Sequence, residues 1–410
     1  MRFSMKKYRT YFYIITALTS AVTFYSQAYS MPGFARKHRM SCQTCHAPFP
    51  KLKPFGEEYA ANGFRLPEGD SPRTHIDTGD DSLYLIKDFP IGMRMDVTAT
   101  LEADSDAAAD LKTPFLLKVI SGAPVTEKLS YYFYFFFTEN GEISGIEDAF
   151  FYYKDFLSTG INITAGQFAV SDPIYKGELR LTYEPYEVFK RKPSGSHANL
   201  KYDRGLVIDY GFDFGLDSSL QIVNGNGIGS PEDGTKNFDR DSAKSFMGRL
   251  SQDLEIFRIG TFGYYGKENG ADDFMNDTVW NRVLYAGGDA SFTIKYFEVN
   301  LLYLFRKDSN GYADPAEDRA VKSHGVMAEI IFQPQADRSL WALSLLYNDF
   351  ISDFKEAGLG IDYRAAAVNF TYLLGRNARF NVEYSHCLKD RSIEKYDGGG
   401  TVKTGLTAAF

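Results

Sequence analysis

Cys42-Gln43-Thr44-Cys45-His46 places two thiols two residues apart and an imidazole directly after the second. Two thiols at that spacing can each add to a vinyl group on one edge of a porphyrin. The adjacent His46 can then give a ring nitrogen to the iron. The pattern is the attachment signature of c-type haem, so the expectation is one covalent haem c. Cys42 and Cys45 would hold it, and His46 would be the proximal iron ligand. A Cys42–Cys45 disulfide competes in an oxidising space. A structural zinc site competes too, but zinc takes four ligands and the chain has no second cysteine pair. The remaining cysteine, Cys387, stands beside His386 and reads as a lone thiol.

The second axial ligand is not legible. His38, Met40 and His75 are weak candidates, with Met93 and Met95 further along. Met40 sits so close before Cys42 that it is too tight to reach the opposite ring face. An ordinary surface or packing role suits any one of them, and an open sixth position is a further alternative.

These groups need an exported chain and something to hold them. Residues 1–30 read as a secretory signal: Arg2, Lys6, Lys7 and Arg9, an apolar run from Tyr11 to Phe24, then small residues at Ala28-Tyr29-Ser30. The apolar run is short for a spanning helix, which needs about 20 residues. Residues 31–87 form the segment that carries the motif. Pro48, Pro50 and Pro54 keep Ala47 to Pro54 out of a helix. From Pro54 a short helix is expected, capped at Gly63. The segment is too small for a large core of its own, and a barrel lumen is the obvious support.

From about residue 88 to 410 the pattern takes period two. Ile91, Met93, Met95, Val97, Ala99 and Leu101 alternate with Gly92, Arg94, Asp96, Thr98, Thr100 and Glu102. Phe297 to Phe305 alternates likewise, although Leu302 and Leu304 make its inner face partly apolar. Phe380, Val382 and Tyr384 alternate with Arg379, Asn381 and Glu383. Apolar-out, polar-in alternation is that of a membrane strand. The composition agrees: aromatics reach 16%, with 28 Tyr and 34 Phe, while mean hydropathy stays mildly negative. Within Leu359 to Leu373 the outward phase moves from Ile361-Tyr363-Ala365 to Val368-Phe370-Tyr372, which a β-bulge would explain.

The expected fold is all-β, a transmembrane antiparallel barrel of about sixteen strands behind a short, partly helical c-type haem segment that plugs the lumen. Short connections (Asp155 to Gly160, Asp213 to Asp217, Gln252 to Glu255, Pro334 to Arg338, Gly375 to Asn377) alternate with long ones. The long ones are Ser171 to Ala198, Asn224 to Ser242, Lys267 to Asp277, Lys307 to Ala320 and Lys389 to Gly400. Short periplasmic turns and long outer loops mark the bacterial outer membrane. The amphipathic end, Val402 to Phe410, resembles an outer-membrane assembly signal. The inner wall is expected to carry Arg94, Asp96, Arg249, Arg258, Glu298, Asp362, Arg364, Arg379 and Glu383, with some arginines available to haem propionates. Acids in three outer loops (Glu232, Asp233, Asp239, Asp241; Glu268, Asp272, Asp273, Asp277; Asp308, Asp314, Glu317, Asp318) suit either a solvated face or a mouth that concentrates cations. A formal net charge of −8 argues against nucleic acid as a partner.

Phe34-Ala35-Arg36, the Cys42–His46 motif, Pro50-Lys51-Leu52-Lys53-Pro54-Phe55-Gly56 and Asn62-Gly63-Phe64 together resemble the fused cytochrome–porin family, which includes outer-membrane cytochromes of iron-oxidising bacteria. The resemblance implies covalent haem on Cys42 and Cys45, ligation by His46, and a haem segment inside the barrel. Members tied to iron oxidation follow Phe-Ala-Arg with Gln-Thr-Gly, whereas Lys37-His38-Arg39 follows here. The function expected is electron transfer across the outer membrane. Extracellular Fe(II) is the leading donor, a periplasmic carrier such as a soluble cytochrome the acceptor, and outer-membrane lipid the surroundings. Such a chain is an electron-transfer protein, or in enzymatic terms an Fe(II) oxidase. The alternatives are outward transfer to an extracellular acceptor, a diffusion porin with a sensing or structural haem, and a haem peroxidase.

Overall fold

The computed structural model describes residues 33–66, 75–76, 78–80, 82–83, 85–87, 89–102, 109–139, 142, 145–228, 238–239, 241–269, 279–312, 320–353, 360–390 and 399–410. The expected signal at 1–30 lies outside them. So do Glu232, Asp233, Asp272, Asp273, Asp277, Asp314, Glu317 and Asp318.

Sixteen strands close into one antiparallel barrel. In chain order they are β1 Ile91–Glu102, β2 Ala109–Pro124, β3 Leu129–Glu139, β4 Ile146–Phe156, β5 Ile161–Ala169, β6 Tyr202–Gly211, β7 Leu216–Val223 and β8 Ser245–Asp253. Then come β9 Phe257–Asn269, β10 Trp280–Ile294, β11 Phe297–Asp308, β12 Val321–Phe332, β13 Trp341–Ser352, β14 Asp362–Gly375, β15 Ala378–Asp390 and β16 Gly399–Ala409. Each strand pairs with its sequence neighbours, and β16 closes on β1. Closure leaves no free edge, which a bilayer requires of a sheet. Among the described residues no helix is long and apolar enough to cross a membrane.

Alternation works as the sequence indicates. On β1, Ile91 and Met95 are exposed while Gly92, Asp96, Thr98 and Thr100 are buried. On β11, Phe297, Leu301, Tyr303 and Lys307 face out while Asn300, Leu302, Leu304, Arg306 and Asp308 face in. The expected phase slip in β14 does not occur. Tyr363, Ala365 and Ala367 are buried in step with Asn369 and Thr371. The bulge lies on the partner strand instead: Arg364 pairs Lys389 and Ala365 pairs Cys387, so Leu388 is the extra residue. Continuous alternation in β14 turns Arg364 outward with Ala366 and Val368, where its Nε lies 3.1 Å from Asp349 Oδ2, and it is not part of the inner wall.

The largest departure is the connection from β5 to β6. Sequence reading makes it an outer loop, but it folds into the lumen. Its Ile174, Leu181, Val188, Phe189 and Leu200 are almost fully buried. Most of them pack on inward residues of the wall, including Met247, Leu302, Leu304, Met327 and Phe350. Each such side chain contributes about 1.5–3 kcal/mol through burial. Glu268 and Asp308, read as loop acids, are inward strand residues that grip this loop. Glu268 accepts from the Ser196 hydroxyl at 2.5 Å and from the His197 and Ala198 amides at 2.8 Å. Asp308 holds Arg306, which donates to the Ala198 carbonyl and to Ser196.

The N-terminal segment comprises α1 (Gly33–His38), a single 3-10 turn at Cys42–Thr44 and α2 (Pro54–Ala61). It sits at the barrel end that carries the short turns. Arg36 donates to the Ile91 carbonyl, and Gln333 on the β12–β13 connection donates to Ala47. Lys53 pairs with Asp337 at 3.1 Å. Arg65 bonds Ser130 at 2.7 Å and the Thr126 and Leu129 carbonyls of the β2–β3 turn. Two parts reach the inner wall: Lys51 meets inward Glu298 at 2.6 Å with Phe49 below Arg94 and Arg379, and Phe64 stacks on Tyr132 at 5.1 Å. The segment therefore caps the turn-end mouth, while the β5–β6 loop, rather than the segment, fills the middle of the lumen.

Candidate functional site

The motif is shaped by a short chain reversal. Ser41 caps the 3-10 turn, its hydroxyl accepting from the Gln43 amide at 3.3 Å. The His46 amide donates to the Cys42 carbonyl at 2.9 Å, closing one backbone turn across the motif. Pro48 and Pro50 then force the chain back. The Ala47 amide donates to Lys51 and the Lys53 amide to Cys45, so His46 and Leu52 form an isolated antiparallel bridge. That reversal delivers the Pro50 carbonyl to His46 Nδ1 at 2.8 Å, with the Lys51 carbonyl at 3.3 Å.

A ring whose Nδ1–H is fixed on a carbonyl presents Nε2 as its lone-pair nitrogen, the usual arrangement of an iron- or zinc-ligating histidine. Burial holds the His46 imidazole below its ordinary value, against the two carbonyl contacts that favour the cation. Burial thus favours the neutral form, the form that binds iron. Cys42 and Cys45 are free and half-buried, and burial pushes both thiols up, with Cys42 adding to the effect on Cys45. They are neither joined as a disulfide nor joined by further ligands: among the described residues no group of three or more metal-binding side chains forms. Two free thiols beside a ring whose Nδ1 is held on a carbonyl are the donor set of a c-type haem, whereas zinc would lack its fourth ligand here.

Helix α2 supports the turn from below. Pro54 opens it and Gly63, at φ +66°, ends it, as expected. Gly56 lies directly on the motif; a Cβ there would meet the Cys45 carbonyl oxygen at 2.5 Å. Beside His46 is a small hollow lined by Gln43, Ala47, Pro48 and Phe49 from the segment, and by Asp337, Ser339, Leu373 and Arg376 from the barrel end. Arg379 donates to the Phe49 carbonyl at 3.3 Å, and its Nε is buried without a partner. Arg94 is held by Asp96 in a two-bond fork at 2.9 and 2.5 Å. Arg94 and Arg379 thus come to the motif. Arg258 does not, standing on β9 opposite Ser291; Arg249 is bound by Asp289.

Of the weak distal candidates, His38 Nε2 lies 2.8 Å from the Tyr59 hydroxyl, which holds the ring against α2. The Met40 amide closes α1 on Ala35. His75 pairs with Ile86 in a two-residue ribbon. None is placed by these contacts as a partner for His46.

Sequence reading missed a second cluster. A register shift between Tyr134 and Phe135 leaves Glu147 as an extra residue of β4, beside inward Asp148. Glu147 accepts from the Tyr202 hydroxyl at 2.9 Å. From the inward loop, Glu178 pairs with Lys118 at 2.7 Å, and burial pushes Asp172 up to about 6. Adjacent acidic letters in a strand signal such a bulge, since strict alternation would send one of them into lipid.

A closed sixteen-stranded antiparallel barrel with an apolar exterior, short turns at one end and long loops at the other defines a porin-type protein of the bacterial outer membrane. No protein-family model matches the chain, and no curated protein matches it. Solved structures share its fold. The outer membrane channel DcaP of Acinetobacter baumannii aligns with TM-score 0.57 at 14% identity, covering 79% of this chain and 97% of that one. The anion-selective porin from Comamonas acidovorans gives 0.56 at 11%, covering 78% and 99%. OmpT of Vibrio cholerae gives 0.55 at 11%, covering 78% and 99%.

Proposed function

We propose that the chain is an outer-membrane monohaem cytochrome–porin that carries single electrons across the membrane, from Fe(II) outside to a soluble periplasmic carrier. The observation that carries this reading is the reversal that fixes His46 Nδ1 on Pro50 beside two free thiols, docked on the turn-end mouth of the barrel. A haem bound there supplies a one-electron iron couple.

The chain's own residues do the rest. Cys42 and Cys45 fix the group covalently, and His46 orients it. Arg379, with its unpartnered buried Nε, and Arg376 on the hollow's rim supply positive charge for propionates. The turn end faces the periplasm, so a soluble carrier meets the site without entering the barrel. The β5–β6 loop packs across the lumen and narrows it, which suits an electron conduit better than a wide diffusion pore. The donor has to come from the loop side, about 30 Å of apolar membrane away. The acids Glu147, Asp148 and Asp172 cluster on the loop side, which suits a small cation better than a mineral particle.

The test is anaerobic. The protein is purified from a host that matures c-type cytochromes, oxidised, and titrated with Fe(II) while the haem α-band is followed. Near-stoichiometric reduction is expected, with haem staining lost in Cys42→Ser and Cys45→Ser. A haem that dithionite reduces but Fe(II) does not would remove iron as donor. Absence of covalent haem would overturn the reading.

A further inference from the structure

Near the long-loop rim, four consecutive strands turn a cation toward the lipid. They are Lys267 on β9, Arg282 on β10, Lys307 on β11 and Lys322 on β12, all on outward positions. The register makes the arrangement costly. Lys267 stands directly opposite Arg282, and Lys307 directly opposite Lys322. Like charges directly opposite in an antiparallel pair lie about 4.5–5.5 Å apart at Cβ and repel.

The acids nearby do not relieve them. Glu268 and Asp308 point inward and are bound to the loop and to Arg306. The Asp353 carboxylate accepts from the Lys322 backbone amide at 2.8 Å. Among the described residues no carboxylate forms an ion pair with Arg282, Lys307 or Lys322. Lys267 lies 3.7 Å over the Trp280 ring. Elsewhere on the rim the chain does neutralise such a charge, as Asp349 does for outward Arg364.

One step toward the membrane centre the same strands carry Tyr265, Leu284, Phe305 and His324, and Tyr303, a step further, places its Oη 2.8 Å from His324 Nδ1. Aromatic residues at this depth mark the headgroup boundary. The cations therefore sit at headgroup level of the outer leaflet, above an apolar wall.

We propose that this face binds an outer-leaflet glycolipid through its phosphate groups. The phosphates bridge the Lys267–Arg282 and Lys307–Lys322 pairs, and the acyl chains lie along Leu284, Leu301, Tyr303 and Val326. Charge complementarity and depth select the occupant: a lipid places anions at this level beside its own chains, which a soluble ion does not.

The full chain in detergent is titrated with lipid A, with lipid A stripped of its phosphates, and with inorganic phosphate, and complexes are counted by native mass spectrometry. A basic residue beside an anionic lipid surface contributes about fivefold in affinity. Lys307→Gln with Lys322→Gln should therefore weaken phosphorylated lipid A about 25-fold, and the paired Lys→Arg variant should restore it. Migration of unheated protein on gels confirms that each barrel is folded. Equal binding of the stripped lipid, or no change in the folded Gln variant, overturns the proposal. Inorganic phosphate binding as tightly as the lipid overturns the choice of occupant.

Discussion

Arg306→Met should open the lumen. The guanidinium is fully buried. It donates to both Asp308 carboxylate oxygens at 2.7 Å, to Ser196 Oγ at 2.6 Å, to the Ala198 carbonyl at 2.9 Å and to the Tyr285 hydroxyl. Methionine keeps much of the volume and none of the donors. Asp308 is then left as a buried charge without its counter-ion, and removing one partner of a buried pair costs about 3–5 kcal/mol. The wall is held by its ladders on both sides, so the cost falls on the state in which the β5–β6 loop is docked. At 1.4 kcal/mol per tenfold, the undocked population rises about a hundredfold to a few thousandfold.

Single-channel recording in planar bilayers reads this directly. The parent protein should conduct poorly, and the variant should show long openings of porin size. Asp308→Asn, made alone, should act in the same direction, because it also leaves half of the pair. If a folded Arg306→Met barrel stays as closed as the parent, the loop is not held by this clasp. If the parent already conducts like an open porin, the loop does not seal the lumen, and an electron conduit with low ion leak is no longer supported.

Three further outcomes are expected. Gly56→Ala places a methyl 2.5 Å from the Cys45 carbonyl oxygen and 2.9 Å from the Leu52 side chain; overpacking of this kind costs about 1–3 kcal/mol, and haem-to-protein ratio in the purified chain should fall while the barrel stays folded. Arg65→Ala removes charge-assisted bonds to Ser130, Thr126 and Leu129, a loss of about 3 kcal/mol that limited proteolysis should show as faster cleavage between the segment and β1. The Lys51–Glu298 pair at 2.6 Å should give a coupling of about 1 kcal/mol in a double-mutant cycle with Lys51→Gln and Glu298→Gln, since it is partly solvated; a coupling near zero would mean that the tip of the segment does not enter the barrel.

What the sequence reveals follows from how local the cause is. Strand alternation, turn lengths and the absence of helix from Ala47 to Pro54 depend on neighbours in the chain, and they were legible. So was the period of β1, because each of its residues answers only to lipid or lumen. Position Arg364 was not. Unbroken alternation back from Val368 puts it outward, but the small side chains of Ala365-Ala366-Ala367 hide that phase in the sequence. The acids Glu268 and Asp308 looked like rim charges because they border long loops. Their inward direction depends on strands that extend further than alternation alone indicates.

The β5–β6 loop shows where a signal was present but incomplete. A water-filled lumen gives no reason for Leu302 and Leu304 to face inward, and burial of apolar side chains is favourable only against an apolar partner. Met247, Met327 and Phe350 make the same statement from three other strands. The partner must come from within the barrel. The β5–β6 connection alone among the long ones carries Ile174, Leu181, Val188, Phe189 and Leu200, all of which an outer loop would expose to water. Matching the two sets yields the inward fold without coordinates. The filler and its lining are written in matching apolar residues, joined by polar clasps such as Lys118–Glu178 and Ser196–Glu268.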